Sequence, residues 1–241
     1  ARQAPEVARV ITKRCQTQGA PLFACGTDFK TSDVELKNNR TRFDFHSGTI
    51  SISGINTGLR GKYQVENIAL GLQAIALASP KGFCANAVKK GIRRTQLAGR
   101  FETLCRAPLT VVDIAHNPSA FNALKENLAR YYPDRKVILI FAASRDKDIK
   151  NMLNKFPYTH LILTRFDNPR AFDPRSIREV CGVRSQATIA ANIKEAYCRA
   201  RRFYGPGALI LIAGSFFLAA EAKKLLRVKS IHPRGPARIA Q

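Results

Sequence analysis

No stretch of this chain can cradle a nucleoside triphosphate by itself. The nearest imitation of a phosphate-binding loop, Gly58-Leu-Arg-Gly61-Lys62-Tyr63, is two residues short and carries Tyr63 where a Mg²⁺-binding Ser or Thr belongs. A GxGxxG fingerprint and a nucleophile elbow are equally missing. The cysteines at 15, 25, 84, 105, 181 and 198 form no CxxC pair, and no His stands at zinc-ligand spacing from a cysteine pair. Cys25 and Cys84 sit among apolar neighbours, so the thiols are expected to be reduced, inert and buried as small hydrophobes, in a cytosol or an organelle matrix. Long hydrophobic runs are absent too: Ala208 to Ala220 is interrupted by Gly214 and Ser215 and falls short of the roughly 20 residues that cross a bilayer. There is no signal-peptide pattern, and the first residue is Ala, as expected of a processed start or a piece of a longer chain.

Acidic residues are also scarce. Seventeen Asp and Glu face 40 Lys and Arg, a formal charge of +23. Such a field attracts RNA, DNA, anionic headgroups or phosphate-rich small ligands; the plainer alternative is a basic solvated surface without a specific partner. The excess is spread over Lys89, Lys90, Arg93 and Arg94, then Arg199, Arg201 and Arg202, then Lys223, Lys224, Arg227 and Lys229. Residues 227–241 contain no acid and read as a basic tail.

What is present is a β-α alternation. Apolar runs at 109–113, 137–142, 160–165, 187–190 and 208–213 read as strands. Helical patterns fill 119–131, 147–155, 174–180, 192–203 and 216–226, so a parallel sheet covered on both faces is expected. Residues 1–97 are more mixed. They offer helices at 5–18, 63–78 and 84–92, a short strand at Leu22–Cys25, and a hairpin pairing the alternating Thr41–Phe45 with Gly48–Ile55. Gln96 to Phe101 marks a boundary between two units.

In an open α/β sheet, ligands bind beyond the carboxyl ends of the strands. Polar turns stand there. Asp113-Ile-Ala-His116-Asn117-Pro118 follows the first strand and Ser144-Arg-Asp146-Lys147-Asp148 the second, which is expected to be its neighbour. His116 can exchange a hydrogen bond with a bound anion, or can simply cap the next helix. Ser144 can N-cap a helix with Asp146 in its first turn, and a helix N-terminus is itself an anion site. Arg170, after Asn168-Pro169, can grip a carboxylate or phosphate bidentately, or can be a surface charge. Gly214-Ser215 ends the last strand, where glycine permits close backbone approach.

These motifs, with Leu163-Thr-Arg165, Asn168-Pro-Arg-Ala171 and Gly214-Ser-Phe-Phe-Leu-Ala-Ala-Glu221, occur in an order and spacing that closely resembles bacterial folylpolyglutamate synthase/dihydrofolate synthase, in the Mur ligase superfamily. Thr41-Arg-Phe-Asp-Phe45, Gly61-Lys-Tyr-Gln-Val-Glu-Asn67 and Gly99-Arg-Phe-Glu102 resemble the end of that family's central domain. The resemblance implies an α/β fold: a Rossmann-like, mostly parallel sheet at 98–226 preceded by a partial central-domain remnant at 1–97. It also implies an ATP-dependent ligase in folate and one-carbon metabolism. ATP phosphorylates a folate or dihydropteroate carboxylate, and the amino group of glutamate attacks the acyl phosphate.

By matching position, Asn67 would contact adenine, and Arg100 and Asp113 would hold the nucleotide. His116 and Ser215 would lie at the incoming glutamate and reacting phosphate. Asn117, Ser144, Asp146, Lys147 and Arg170 are weaker substrate or phosphate candidates. ATP and Mg²⁺ belong to the complete enzyme. The Gly-rich loop and metal ligands of the family have no counterpart in this chain, which alone is expected to be inactive and to bind neither tightly. Ile114 stands where the family usually has Gly and is expected to crowd the bend; Ala142 also replaces a common Gly. The competing expectation is a ligase relic turned basic RNA-binding protein, for instance in an organellar ribosome. A small-molecule sensor using the second unit alone is a third.

Overall fold

The computed structural model describes residues 3–37, 40–48, 50–78, 84–182 and 187–230, the last four by backbone alone. The chain divides into two compact units, Ala1–Leu97 and Ala98–Gln241.

The first unit opens with α1 (Pro5–Thr17), none of whose residues is buried. Three antiparallel strands follow in sequence order: β1 (Phe29–Lys37), β2 (Arg40–Ser47) and β3 (Ile50–Thr57). Period-two alternation in β2 turns Thr41, Phe43 and Phe45 inward. There the two phenylalanines pack with Phe29, Ile52 and Ile55 against Val65, Ala69 and Leu72 of α2 (Lys62–Ala78). Then comes α3 (Ala85–Arg94), whose last turn carries Arg93 and Arg94 where the helix dipole favours cations.

Two expectations are corrected here. Leu22–Cys25 is not a strand: it makes one isolated bridge, Cys25 to Phe29, and Leu22 and Phe23 are exposed. The strand is β1, hidden in the sequence because only Phe29 of its residues is buried and a bulge between Ser32 and Glu35 breaks its alternation. The cysteines form no disulfide, but none is fully buried; Cys84, next to α3, is exposed. Ser79-Pro80, read as the stop after α2, lies outside the described residues.

The second unit is a six-stranded sheet. It begins with the antiparallel pair β4 (Glu102–Arg106) and β5 (Leu109–Val112) and continues with α4 (Pro118–Tyr131) and β6 (Lys136–Phe141). Then follow α5 (Ile149–Leu153), β7 (His160–Leu163), α6 (Pro174–Val180), β8 (Ala187–Ile189), α7 (Ile193–Phe203), β9 (Ala208–Ala213) and α8 (Phe216–Ser230). The strand order is β4-β5-β9-β6-β7-β8, and every pair but β4·β5 is parallel.

Strands buried on both faces read as continuous apolar runs, and successive residues serve opposite layers. Val137, Leu139 and Phe141 face Phe121, Leu124 and Leu128 of α4 and Met152 of α5. Ile138 and Ile140 face Ala196 and Ala200 of α7 and Leu218 and Ala222 of α8. Each fully buried side chain of this size contributes about 1.5–3 kcal/mol of transfer free energy.

The expectation that β5 and β6 are neighbours is wrong: β9 lies between them, pairing with both. The basic tail expected from residue 227 begins inside α8, and residues 231–241 lie outside the described residues. No described helix is long and apolar enough to cross a membrane.

Candidate functional site

β9 lies between β5 and β6; α4 and α5 follow those two strands onto one face of the sheet, α8 follows β9 onto the other, and the ends of all three strands meet at this topological switch point. A cavity of about 190 Å³ opens there, lined by His116 after β5, Ser144 and Lys147 after β6, Arg170 after β7, and Gly214, Ser215, Phe216 and Phe217 after β9.

The walls are backbone-locked. Gly214 N–H donates to the Ala115 carbonyl at 3.0 Å, stitching the β9 end to the β5 loop. Gly214 has φ +118°, which L side chains rarely adopt, and a Cβ there would meet the Ala142 carbonyl oxygen and lie 2.8 Å from the Phe141 ring. The loops after β6 and β7 are tied by Arg145 N–H to the Arg170 carbonyl at 3.1 Å and Phe172 N–H to the Ala143 carbonyl at 2.9 Å. Within the second loop, Asn168 Oδ1 accepts from Arg170 N–H at 2.9 Å.

His116 is half-buried. Its Nδ1 lies 3.0 Å from the Ile114 carbonyl oxygen, which can only accept, so the neutral ring carries its proton on Nδ1 and leaves Nε2 as an acceptor. Phe216 packs on the imidazole with centroids 5.1 Å apart, restricting the ring's tilt. Ser215 is buried. Its Oγ accepts from Phe217 N–H at 3.1 Å, and its own hydroxyl proton remains to be given to a ligand.

Lys147 and Arg170 supply positive charge, both anchored by Asp146: Nζ at 2.7 Å from one carboxylate oxygen and the guanidinium 3.7 Å from the other. The Lys147 hydrogen bond leads the causes that hold the Asp146 carboxyl below its usual range. Ser144 does not N-cap a helix. That cap is Asp148, whose side chain accepts from Asn151 N–H, so α5 starts at Ile149 rather than at 147. A short polar turn, closed by Lys147 N–H to the Ser144 carbonyl at 3.2 Å, occupies the intervening residues, and Ser144 is bridged to Ala171.

Asn117 has a capping position: Oδ1 accepts from Ala120 N–H at 2.8 Å, and Pro118 at the first helical position pre-sets φ. Asn117→Ala should therefore cost about 1 kcal/mol in thermal or denaturant unfolding, and Asn117→Asp much less. Equal losses from both would show that the cap is not what holds this end of α4.

Asp113 is turned inward and is 4% exposed. Its two oxygens accept from Ala115 N–H at 2.7 Å and Phe101 N–H at 2.8 Å. Burial pushes its pKa up to about 6, against the pull of these two bonds and of Arg100. The carboxylate thus shapes the loop that presents His116 and fixes the segment carrying Arg100, which is itself half-exposed. Ile114 does crowd the bend: a Cβ at Gly99 would sit 2.7 Å from its Cγ2. Glycine at 99, at φ +69°, relieves the crowding, and Ile114 packs with α7 and α8 rather than lining the cavity.

The cavity thus gathers His116, Ser144, Lys147, Arg170 and Ser215. Asp113, Asp146 and Asn117 position their neighbours, and Asn67 is exposed on α2 of the first unit. Phe216 and Phe217 escaped the sequence reading: at the start of an apolar helix they resemble core, yet they are 51% and 40% exposed. Two aromatics directly after a strand-ending Gly-Ser were the available signal. Among the described residues no group of three or more His, Cys, Asp or Glu is placed to hold a metal ion. The donor set present suits an anion, not Mg²⁺.

Comparison with known proteins agrees with this architecture. Residues 99–216 match the family model for the glutamate ligase domain of Mur ligases. A probable bifunctional folylpolyglutamate synthase/dihydropteroate synthase of Halobacterium salinarum is 31% identical over 80% of this chain and 24% of its own length. The dihydrofolate synthase/folylpolyglutamate synthase of Bacillus subtilis is 22% identical over 92% of this chain and 53% of its own. The solved Mycobacterium tuberculosis folylpolyglutamate synthase, complexed with ADP, superposes with a TM-score of 0.87 at 23% identity, over 93% of this chain and 53% of that one. The chain thus spans between a quarter and about half the length of these relatives. None of the three supports the RNA-binding reading of the net charge. Over residues 99–216, within its second unit, the chain is similar to the glutamate ligase domain of the Mur ligases.

Proposed function

We propose that this chain is the amino-acid-accepting half of an ATP-dependent amide ligase that joins glutamate to a folate or dihydropteroate carboxylate. The supporting observation is the convergence of His116, Ser215, Lys147 and Arg170 on one cavity at the switch point. A carboxylate takes the terminal phosphoryl group of ATP, releasing ADP; the glutamate amine then attacks the acyl carbon, and inorganic phosphate leaves. Every participant is anionic, so catalysis requires positioning and positive charge rather than a covalent enzyme intermediate.

In this reading Lys147 and Arg170 hold a carboxylate or phosphate, and Ser215 donates its hydroxyl proton to an oxygen of the same group. His116 Nε2 receives a hydrogen bond from the incoming ammonium or amine. Arg100 holds a nucleotide phosphate, Asp113 keeps the Arg100 segment in place, and Asn67 contacts the adenine. Among the described residues there is no phosphate-binding loop and no group of three or more His, Cys, Asp or Glu placed to hold the Mg²⁺ that accompanies ATP. The unpaired cysteines suit a reducing cytosol or organelle matrix.

The test uses the protein expressed from its complete gene, supplied with ATP, glutamate and a reduced folate or dihydropteroate. ADP release dependent on both other substrates is expected. His116→Ala should lower kcat about 100-fold, while Lys147→Ala should act mainly through an increase of about tenfold in the KM for glutamate. The 241-residue chain alone should show no turnover. No glutamate-dependent ADP release from the complete protein would overturn the reading.

A further inference from the structure

Lys223 belongs by sequence to the run of basic residues near the end of α8, yet it is not a solvated surface charge. Its side chain is 13% exposed, and Nζ lies 2.8 and 2.6 Å from the two carboxylate oxygens of Glu102. Glu102, with its side chain 29% exposed, also accepts the Gly99 N–H through Oε2 at 2.6 Å. Two further tethers act on the same segment: Phe101 N–H to Asp113 at 2.8 Å, and Ile114 N–H to the Gly99 carbonyl at 2.8 Å. The segment needs holding. Phe101 has φ +47°, a left-handed conformation that costs an L residue about 1–2 kcal/mol. Arg100, between Gly99 and Phe101, has its direction set by these backbone angles.

We propose that Lys223 is a positioning residue for Arg100: through Glu102 it fixes the strained Gly99–Phe101 backbone and thereby sets where the Arg100 guanidinium meets the nucleotide phosphates. The inference rests on the proposed role of Arg100 and adds a residue 121 positions from Glu102 in sequence. A half-buried pair of this kind is a weak source of stability once desolvation is counted, but a strict source of geometry. Methionine at 223 keeps most of the apolar stem and removes the charge. Glu102 is then left with the Gly99 N–H alone, and the backbone relaxes.

The test combines two measurements on the complete protein. Amide hydrogen exchange at Gly99 and Phe101 should quicken about tenfold or more in Lys223→Met, with β6 and β9 unchanged. The KM for ATP should rise about tenfold with kcat altered far less, and Lys223→Arg should recover most of the loss. In an Arg100→Ala background, Lys223→Met should add nothing further to that KM. Unchanged exchange at both amides overturns the clasp. So does a Lys223→Met effect on KM that is equally large without Arg100, or a variant that loses melting temperature while KM stays put. A wild-type protein that consumes no ATP would instead overturn the proposed function and this inference together. Glu102→Gln, which keeps an acceptor for Gly99, gives the same readings should Lys223→Met not fold.

Discussion

Alanine at position 214 is expected to destabilise the second unit by about 2–5 kcal/mol. Two penalties act at once. The backbone angle of +118° is outside what an L residue adopts readily, and the new Cβ would press on the Ala142 carbonyl and the Phe141 ring, whose Cε2 would be 2.8 Å away. Neither neighbour can retreat cheaply. Phe141 is fully buried against Phe121, and the end of β6 is paired on one side to β9 and on the other to β7. Yielding at Gly214 instead would break its bond to Ala115 and draw Ser215 away from His116. Thermal unfolding should show a melting temperature lower by roughly 10 °C, and any glutamate-dependent activity should fall with it. A loss under about 1 kcal/mol would mean that β9 is not seated against β6 as described.

Asp113→Asn is the second large effect, and its signature is a pH dependence. The folded pKa of Asp113, about 6, lies above the ordinary carboxylate value of 3.8 because burial outweighs the two N–H bonds and Arg100. A raised carboxylate pKa means that the ionised form is penalised in the folded state. The penalty is present in full above pH 6 and is relieved as the pH falls from about 6 toward 3.8. Between pH 7 and 5 this group alone should add about 1 kcal/mol to wild-type stability, a gain absent from the Asn variant. At pH 7 the Asn variant should still be the less stable by about 1–3 kcal/mol, since one of the Phe101 and Ala115 N–H groups then faces an amide donor. Denaturant melts of both proteins at pH 7, 6 and 5 should therefore diverge downward in pH. Parallel curves would show that Asp113 does not titrate in this window.

The sequence announced the elements with a regular burial pattern and concealed those without one. β6 and β9 are unbroken apolar runs because both of their faces meet helices. The alternation of β2 was equally plain, since one face packs and the other does not. β1 and β4 carry almost no such pattern: Phe29 aside, their residues are half-buried or exposed, and each strand contains a bulge. Strand order was beyond reach, because nothing local to Ala208–Ala213 says that it threads between β5 and β6.

The polar residues around the cavity could be read because they sit at strand ends, where α/β sheets keep their ligands. The helper residues were harder. Asp113 reads as part of a site, whereas its oxygens face backbone amides that only the folded chain brings near. Glu102 and Lys223 share no local pattern, and their partnership is visible only in three dimensions.

The placement of β9 makes the site depend on a strand distant in sequence from β5 and β6. Without Ala208–Ala213, β5 and β6 would be two strand spacings apart, roughly 10 Å, each with a bare inner edge. His116 and Ser144 would then border a gap rather than a pocket. One strand, Ala208–Ala213, thus both joins the two halves of the sheet and carries Gly214 and Ser215 to the cavity wall.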